Sequence, residues 1–66
     1  MGFEVGKKYE FLKAPGWAEL VIRLPKANPY SRLVFMSNTG YIVHTSESGR
    51  VFSHKKDDND VLPVEI

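Results

Sequence analysis

Two histidines and an acidic run are the first candidates for chemistry in this chain. His44 and His54 stand ten residues apart, and Asp57-Asp58-Asn59-Asp60 follows shortly after them. A zinc site requires a tetrahedral set of ligands, usually including two histidines a few residues apart, and no such spacing occurs here. The acidic run also lacks the glycine and the distant glutamate of an EF-hand calcium loop. We therefore expect no metal site and no cofactor.

Hydroxyl residues surround the two histidines and could in principle act as nucleophiles. They are Thr45, Ser46, Ser48 and Ser53. A nucleophilic hydroxyl needs a base, an orienting acid and a site that excludes water, and nothing in the spacing fixes such a set. A chain of this size buries only about 60% of the surface of its unfolded form, which leaves little room for a deep cleft. The five glycines are dispersed, so no phosphate-binding loop is formed. We expect no enzyme activity and no catalytic residue.

Aromatic residues beside turns are stronger candidates for binding a partner. Trp17 follows a Pro-Gly turn, Tyr30 follows a proline, and Tyr41 begins a strand after a turn. Tryptophan and tyrosine are enriched at binding hot spots, but they also fill small cores, so Trp17 could instead cap the core and the tyrosines cover its rim. The candidate partner-binding residues are Trp17, Tyr30, Arg32, Met36 and Tyr41.

The elements that must position these residues are predicted to be β-strands. Two short turns, Asn38-Thr39-Gly40 and Glu47-Ser48-Gly49, each place a glycine where a hairpin needs positive φ, and β-forming residues flank both. A third turn, Ala14-Pro15-Gly16, has proline and glycine at the positions that a β-turn favours. This pattern predicts an antiparallel meander.

Alternation of apolar and polar residues predicts which side of each strand faces the core. The first two strands are expected over residues 8–13 and 18–24. Their inward-facing residues are predicted to be Tyr9, Phe11, Leu20, Ile22 and Leu24. A surface loop with two prolines, residues 25–31, follows and carries Tyr30.

The remaining strands are predicted over residues 32–37, 41–46, 50–53 and 61–66. The run Leu33 to Met36 is apolar on both faces, which is typical of a central strand covered by the curled sheet on one side and by a loop, a terminus or a partner on the other. In the last strand Leu62, Val64 and Ile66 recur at period 2, and Pro63 between them cannot donate to a ladder. We therefore place this strand at a sheet edge, or with the missing N–H of Pro63 pointing outward, and treat residues 54–60 as a solvated loop or bent connection.

These strands predict an all-β fold in a single domain, residues 1–66. A two-layer sandwich usually needs about 100 residues, so a five- to six-stranded meander curled into a partly open barrel is favoured. An SH3-like barrel is the first choice and an OB-like barrel the second. The chain has no cysteine, so no disulfide supports the fold.

Charge and hydropathy restrict the partners. Nine Lys and Arg balance eight Asp and Glu, for a net charge of +1, which disfavours a polybasic nucleic-acid binder. No apolar run reaches the length of a membrane span or a signal peptide. We expect a cytoplasmic protein without a membrane partner.

Three segments resemble small uncharacterised proteins encoded by bacteriophages and prophages. They are Glu4-Val5-Gly6-Lys7-Lys8-Tyr9, Ala18-Glu19-Leu20-Val21-Ile22, and Gly49-Arg50-Val51-Phe52 with the later Asp60-Val61-Leu62. The resemblance implies a compact β-rich domain without catalytic residues that binds, and in several cases inhibits, a host protein. It carries no site residue over to this chain.

Three functional hypotheses remain. The preferred one is a non-enzymatic protein-interaction module that binds a host macromolecule, with self-association through an edge strand as a related possibility. The second is a small nucleic-acid-binding barrel, in which basic residues contact phosphates and tyrosines stack on bases. Its residues would be Lys7, Lys8, Arg32, Arg50, Tyr30 and Tyr41. The third is an oligomer that sequesters a nucleotide or metabolite.

Overall fold

Five antiparallel strands form a single sheet in the computed structural model, which describes residues 2–66. The strands are β1 (Lys8–Phe11), β2 (Trp17–Arg23), β3 (Leu33–Ser37), β4 (Ile42–Thr45) and β5 (Val61–Glu65). Their order is β4-β3-β2-β1-β5, and in residues 2–66 the edge strands β4 and β5 do not pair, so the sheet is a partly open barrel. The predicted all-β meander is confirmed. Met1, the first residue of the predicted domain, lies outside the described residues.

The core lies on the inner face of the sheet. Tyr9 and Phe11 of β1 are buried, as predicted, while their neighbours Lys8 and Glu10 are exposed. Phe3 covers this face from the N-terminal segment, with its ring 4.9 Å from the ring of Tyr9 in an edge-to-face arrangement. The buried apolar residues are Phe3, Tyr9, Phe11, Ala18, Leu20, Leu33, Phe35, Val43 and Val61.

A β-bulge interrupts β2. Leu20 pairs with Phe35 and Ile22 pairs with Val34, so β2 has one more residue than β3 over this interval. A bulge adds an unpaired residue and changes the face on which the next side chains lie. Val21 and Ile22 are consequently both 48% exposed, and Leu24 is exposed as well. The prediction that Ile22 and Leu24 face the core is therefore wrong.

The last strand, β5, lies at an edge of the sheet, as Pro63 indicated. Its buried residue is Val61, which does not belong to the period-2 set Leu62, Val64 and Ile66. Val61 pairs with Phe11 and belongs to the core. Val64 and Ile66, two of the residues that recur at period 2, are exposed. A ladder irregularity between Tyr9 and Phe11 accompanies this pairing.

The surface loop predicted before β3 contains a 3-10 turn, Pro29–Ser31. Arg32 stabilises this loop because its Nε donates to the carbonyl oxygen of Ala27 at 2.9 Å. No helix in residues 2–66 is long and apolar enough to cross a membrane.

The strand predicted over residues 50–53 is not formed. A hairpin begins as expected, because Ser46 N donates to Arg50 O at 2.8 Å and Gly49 has a φ of +85°. The next step of the ladder, between His44 and Phe52, is not formed, because the chain bends at Val51, whose N–H donates to Oδ1 of Asp60 at 2.9 Å. The chain therefore leaves β4 at Val51.

Asp60 holds the segment from Arg50 to Val61 in place. It is only 3% exposed, although the sequence places it in a polar run. Its Oδ2 accepts the N–H of Asp57 at 3.2 Å and lies 3.2 Å from Nε of Arg50, in an ion pair without hydrogen-bond alignment. A buried carboxylate with these partners is an internal anchor rather than a surface charge.

Replacing Asp60 with alanine should therefore destabilise the domain severely. The change leaves two backbone N–H groups and one guanidinium without their acceptor, a loss of about 2–4 kcal/mol. Asp60→Asn should cost less, because an amide oxygen can still accept one N–H. Asp58→Asn is the control, since Asp58 is exposed and should change stability by less than about 0.5 kcal/mol. Urea unfolding followed by circular dichroism measures all three, and equal midpoints for Asp60→Ala and Asp58→Asn would contradict the anchor.

Two hairpin glycines should respond differently to alanine. Gly40 and Gly49 both have positive φ, so either substitution costs about 1–2 kcal/mol of backbone strain. A Cβ at Gly40 meets no atom within 4 Å, whereas one at Gly49 would lie 2.1 Å from the carbonyl oxygen of Val61. Gly49→Ala should therefore unfold at clearly lower urea concentration than Gly40→Ala. Matching midpoints would show that the close approach to Val61 does not constrain the fold.

Candidate functional site

The outer face of the sheet exposes apolar side chains on three adjacent strands. Ile22 of β2 pairs with Val34 of β3, and Met36 of β3 pairs with Ile42 of β4. Ile22 is 48% exposed, Met36 36% and Ile42 49%, while Val34 is half-buried. We call these four residues the outer strip. They lie side by side because cross-strand pairs on one face are direct neighbours.

Polar groups border the outer strip. Glu19 pairs with Met36 and His44 pairs with Val34, so a carboxylate and an imidazole lie on the same face as the apolar residues. Trp17 lies on this face as well, opposite Glu10 of β1. The ammonium of Lys8 stands 4.5 Å from the centre of the Trp17 ring. Trp17 is half-buried and lies outside the core.

Tyr41 connects the start of β4 to the polar segment that precedes β5. Its ring stacks on Phe11 at 6.3 Å, and its hydroxyl donates to Oδ1 of Asn59 at 2.9 Å. The side chain remains partly exposed. Tyr41 therefore covers one side of the core and stabilises the loop at the same time.

The structure does not gather the five predicted binding residues in one place. Met36 and Trp17 lie on the outer face, and Tyr41 lies beside the free edge of β4. Tyr30 is in the 3-10 turn and is 37% exposed, while Arg32 is half-buried and bonded within the preceding loop.

Sequence reasoning named only Met36 of the outer strip as a binding residue and missed Ile22, Val34 and Ile42, although Val34 lies in the apolar run Leu33 to Met36. Ile22 was predicted to be buried, because nothing in the sequence marks the bulge. Ile42 could have been found from pairing, since it stands opposite Met36 when Val43 faces the core.

A groove runs along the free edge of β4. It has a volume of about 440 Å³ and lies between β4 and the segment that leaves it at Val51. The lining residues are Tyr41, Ile42, Val43, His44, Val51, Phe52, Asp57 and Asn59. We call it the β4 groove. Its walls are largely apolar and aromatic, as in binding sites for peptides and small molecules.

The backbone of β4 points unpaired polar groups into this groove. Ser37 N donates to Tyr41 O, so Tyr41, Val43 and Thr45 alternate as the residues that bond to β3. The N–H and C=O groups of Ile42 and His44 therefore point away from β3. They have no backbone partner in residues 2–66.

The basic residues of the nucleic-acid hypothesis are dispersed and partly neutralised. Lys7 lies 3.6 Å from both Glu4 and Glu65, and these carboxylates raise the pKa of its ammonium above the ordinary 10.5. Arg50 is paired with the buried Asp60.

The candidate metal ligands and hydroxyl nucleophiles lie near each other in the sequence, but the fold gives them other surroundings. In residues 2–66, no three His, Asp or Glu side chains are gathered as a metal ion would require. The hydroxyl of Ser46 accepts the N–H groups of Ser48 and Arg50, at 3.3 Å and 3.2 Å, so it stabilises the turn.

No protein-family model, no curated protein and no solved structure matches this chain. The likeness to phage-encoded proteins therefore stays a prediction, and the function must be argued from the geometry of the outer strip and the β4 groove.

Proposed function

We propose that this protein is a non-enzymatic interaction module that binds another protein through the outer strip. The observation that carries the proposal is the outer strip itself. Four apolar side chains lie together on one sheet face, and three of them remain 36–49% exposed in the isolated domain. Contiguous exposed apolar residues with a polar border are typical of protein-binding surfaces.

The composition of the outer strip favours a protein partner. Met36 is flexible and adapts to irregular surfaces, and the β-branched side chains of Ile22 and Ile42 are stiff, so they lose little entropy on binding. Glu19 and His44 at the border can select a partner by polar contacts.

The hydroxyl groups that could act as nucleophiles are already hydrogen-bonded within a turn, which supports a non-enzymatic role in this proposal. The hydroxyls of Thr45 and Ser46 are used within the turn that follows β4, and Thr45 Oγ1 donates to Ser46 O at 2.9 Å. The β4 groove offers one half-buried carboxylate, Asp57, whose Oδ2 accepts the N–H of Asn59. A protein-binding role needs no further chemistry from these residues.

Several basic side chains already have partners within the domain, which favours a protein as the binding partner over nucleic acid. A nucleic-acid surface gains most of its affinity from unpaired Lys and Arg side chains. Lys7 and Arg50 already have carboxylate partners, and Lys8 lies over Trp17. A phage-encoded inhibitor acting on a cytoplasmic host protein is the specific form of the proposal, and an SH3-like barrel remains its preferred fold type.

Charge placed in the outer strip should abolish partner binding without unfolding the domain. Ile22→Lys combined with Met36→Lys puts two ammonium groups on the apolar surface, and desolvating them would cost a complex several kcal/mol, about a hundredfold in affinity or more. Both positions are exposed, so each change should alter stability by about 0.5 kcal/mol or less. Tagged protein is passed through bacterial lysate with and without nuclease treatment, and retained proteins are quantified by mass spectrometry.

The control carries the same charges elsewhere. Val64→Lys with Ile66→Lys changes two exposed apolar residues at the opposite edge of the sheet. A protein retained by the wild type and by this control, but lost with the outer-strip variant, supports the proposal. Equal retention by both variants would exclude the outer strip, and recovery that disappears only with nuclease would favour nucleic acid.

A further inference from the structure

We infer that the β4 groove receives an extended peptide segment of the partner protein, which adds to β4 as a sixth strand and places a lysine or arginine against Asp57. This inference rests on the proposed protein-binding function and names the form in which part of the partner is recognised. Strand addition uses the main-chain groups of an exposed edge for affinity and pockets beside it for specificity.

The chain itself begins to pair with the outer edge of β4 and then leaves it. The hairpin bond from Ser46 N to Arg50 O starts a ladder on the outer side of β4. Its next step would join His44 to Phe52, but the chain has turned away to Asp60 at Val51. The outward N–H and C=O groups of His44 and Ile42 are therefore positioned to pair with a further strand, but the chain does not supply one.

The two edges of the sheet differ in how they are protected. β5 contains Pro63, which has no N–H to offer, and Glu65, which is paired with Lys7. Proline and charge are common devices that prevent an edge from pairing with another chain. β4 carries neither in Ile42–Thr45. Of the two edges, β4 is thus the one open to strand addition.

The walls of the β4 groove favour a single peptide strand over a second copy of this domain. Val51, Phe52, Asp57 and Asn59 line the side that faces β4, so the edge is approached from within a groove. A second β4 would bring its own groove wall into the same space. β4 is only four residues long, an edge of about 13 Å, and pairing two such edges is too small a contact to bury the roughly 800 Å² per partner of a standard interface.

Charge indicates one feature of the peptide. Among residues 2–66, Asp57 and His44 are the acidic and basic residues that line the groove. Its Oδ2 accepts the N–H of Asn59, and Oδ1 has no hydrogen bond within residues 2–66. A lysine or arginine on the peptide could pair with this half-buried carboxylate, while apolar side chains contact Val51 and Phe52.

A backbone substitution tests strand addition directly. His44→Pro removes the outward N–H but no bond to β3, because His44 and Val34 form a non-hydrogen-bonded pair. His44→Ala removes the same imidazole and keeps the N–H, so it is the matched control. The probe is a displayed library of random twelve-residue peptides selected on the wild-type protein, and the affinity of the enriched peptides is then measured by fluorescence anisotropy.

We expect the enriched peptides to have an apolar residue at every second position and to carry a basic residue. They should bind His44→Ala within about threefold of the wild type and His44→Pro at least tenfold more weakly, about 1.4 kcal/mol. Asp57→Asn should weaken them and remove the preference for a basic residue. Amide exchange at Ile42 and His44 should slow when peptide is bound, a readout that does not depend on the folding of any variant.

Other results would overturn the inference. Peptides that bind His44→Pro as well as the wild type, no enriched peptide at all, or unchanged exchange at Ile42 and His44 would each exclude strand addition. Loss of lysate partner with the outer-strip lysines but not with His44→Pro would leave the proposed function standing and refute this inference alone. If neither the lysate capture nor the peptide selection yields a partner, the proposed function and this inference are both refuted.

Discussion

The carboxylate of Asp60 is the interaction on which the rest of this structure depends. It binds the N–H groups of Val51 and Asp57 and pairs with Arg50, so one buried side chain determines the path of the segment between β4 and β5. Without disulfides, a domain of this size has few other means of ordering an irregular segment. After the chain leaves β4 at Val51, Asp60 holds the segment that forms the other side of the β4 groove.

The outer strip has a similar origin in a departure from regular structure. With strict alternation, Leu20 and Ile22 would both face the core, and Val21 would lie opposite Val34 on the outer face. The bulge in β2 instead pairs Ile22 with Val34 and leaves both Val21 and Ile22 exposed. One local irregularity therefore adds Ile22 to the outer strip, and a second one, in the hairpin, leaves the edge of β4 unpaired on an otherwise regular sheet.

This origin explains which features the sequence could predict. The turns at Gly40 and Gly49 depend on a few adjacent residues, and the burial of Tyr9 and Phe11 follows from short alternation, so these predictions are confirmed. The bulge results from the register between β2 and β3, which no local pattern encodes. Asp60 ends a run of charged residues that is typical of a solvated loop, and only its contacts with Val51 and Arg50 make it an anchor.

In the candidate site, too, some features follow from local sequence and others only from the tertiary structure. Met36 and Tyr41 could be proposed from residue type and position beside a turn, but their surroundings could not. Ile42 connects the two surfaces, because its side chain belongs to the outer strip and its backbone N–H and C=O point into the β4 groove. A peptide strand added at β4 would place alternate side chains beside Ile42 and His44, extending the outer face by one strand. The two surfaces would then act as one interface, in which the edge supplies main-chain bonds and the outer strip distinguishes one partner from another.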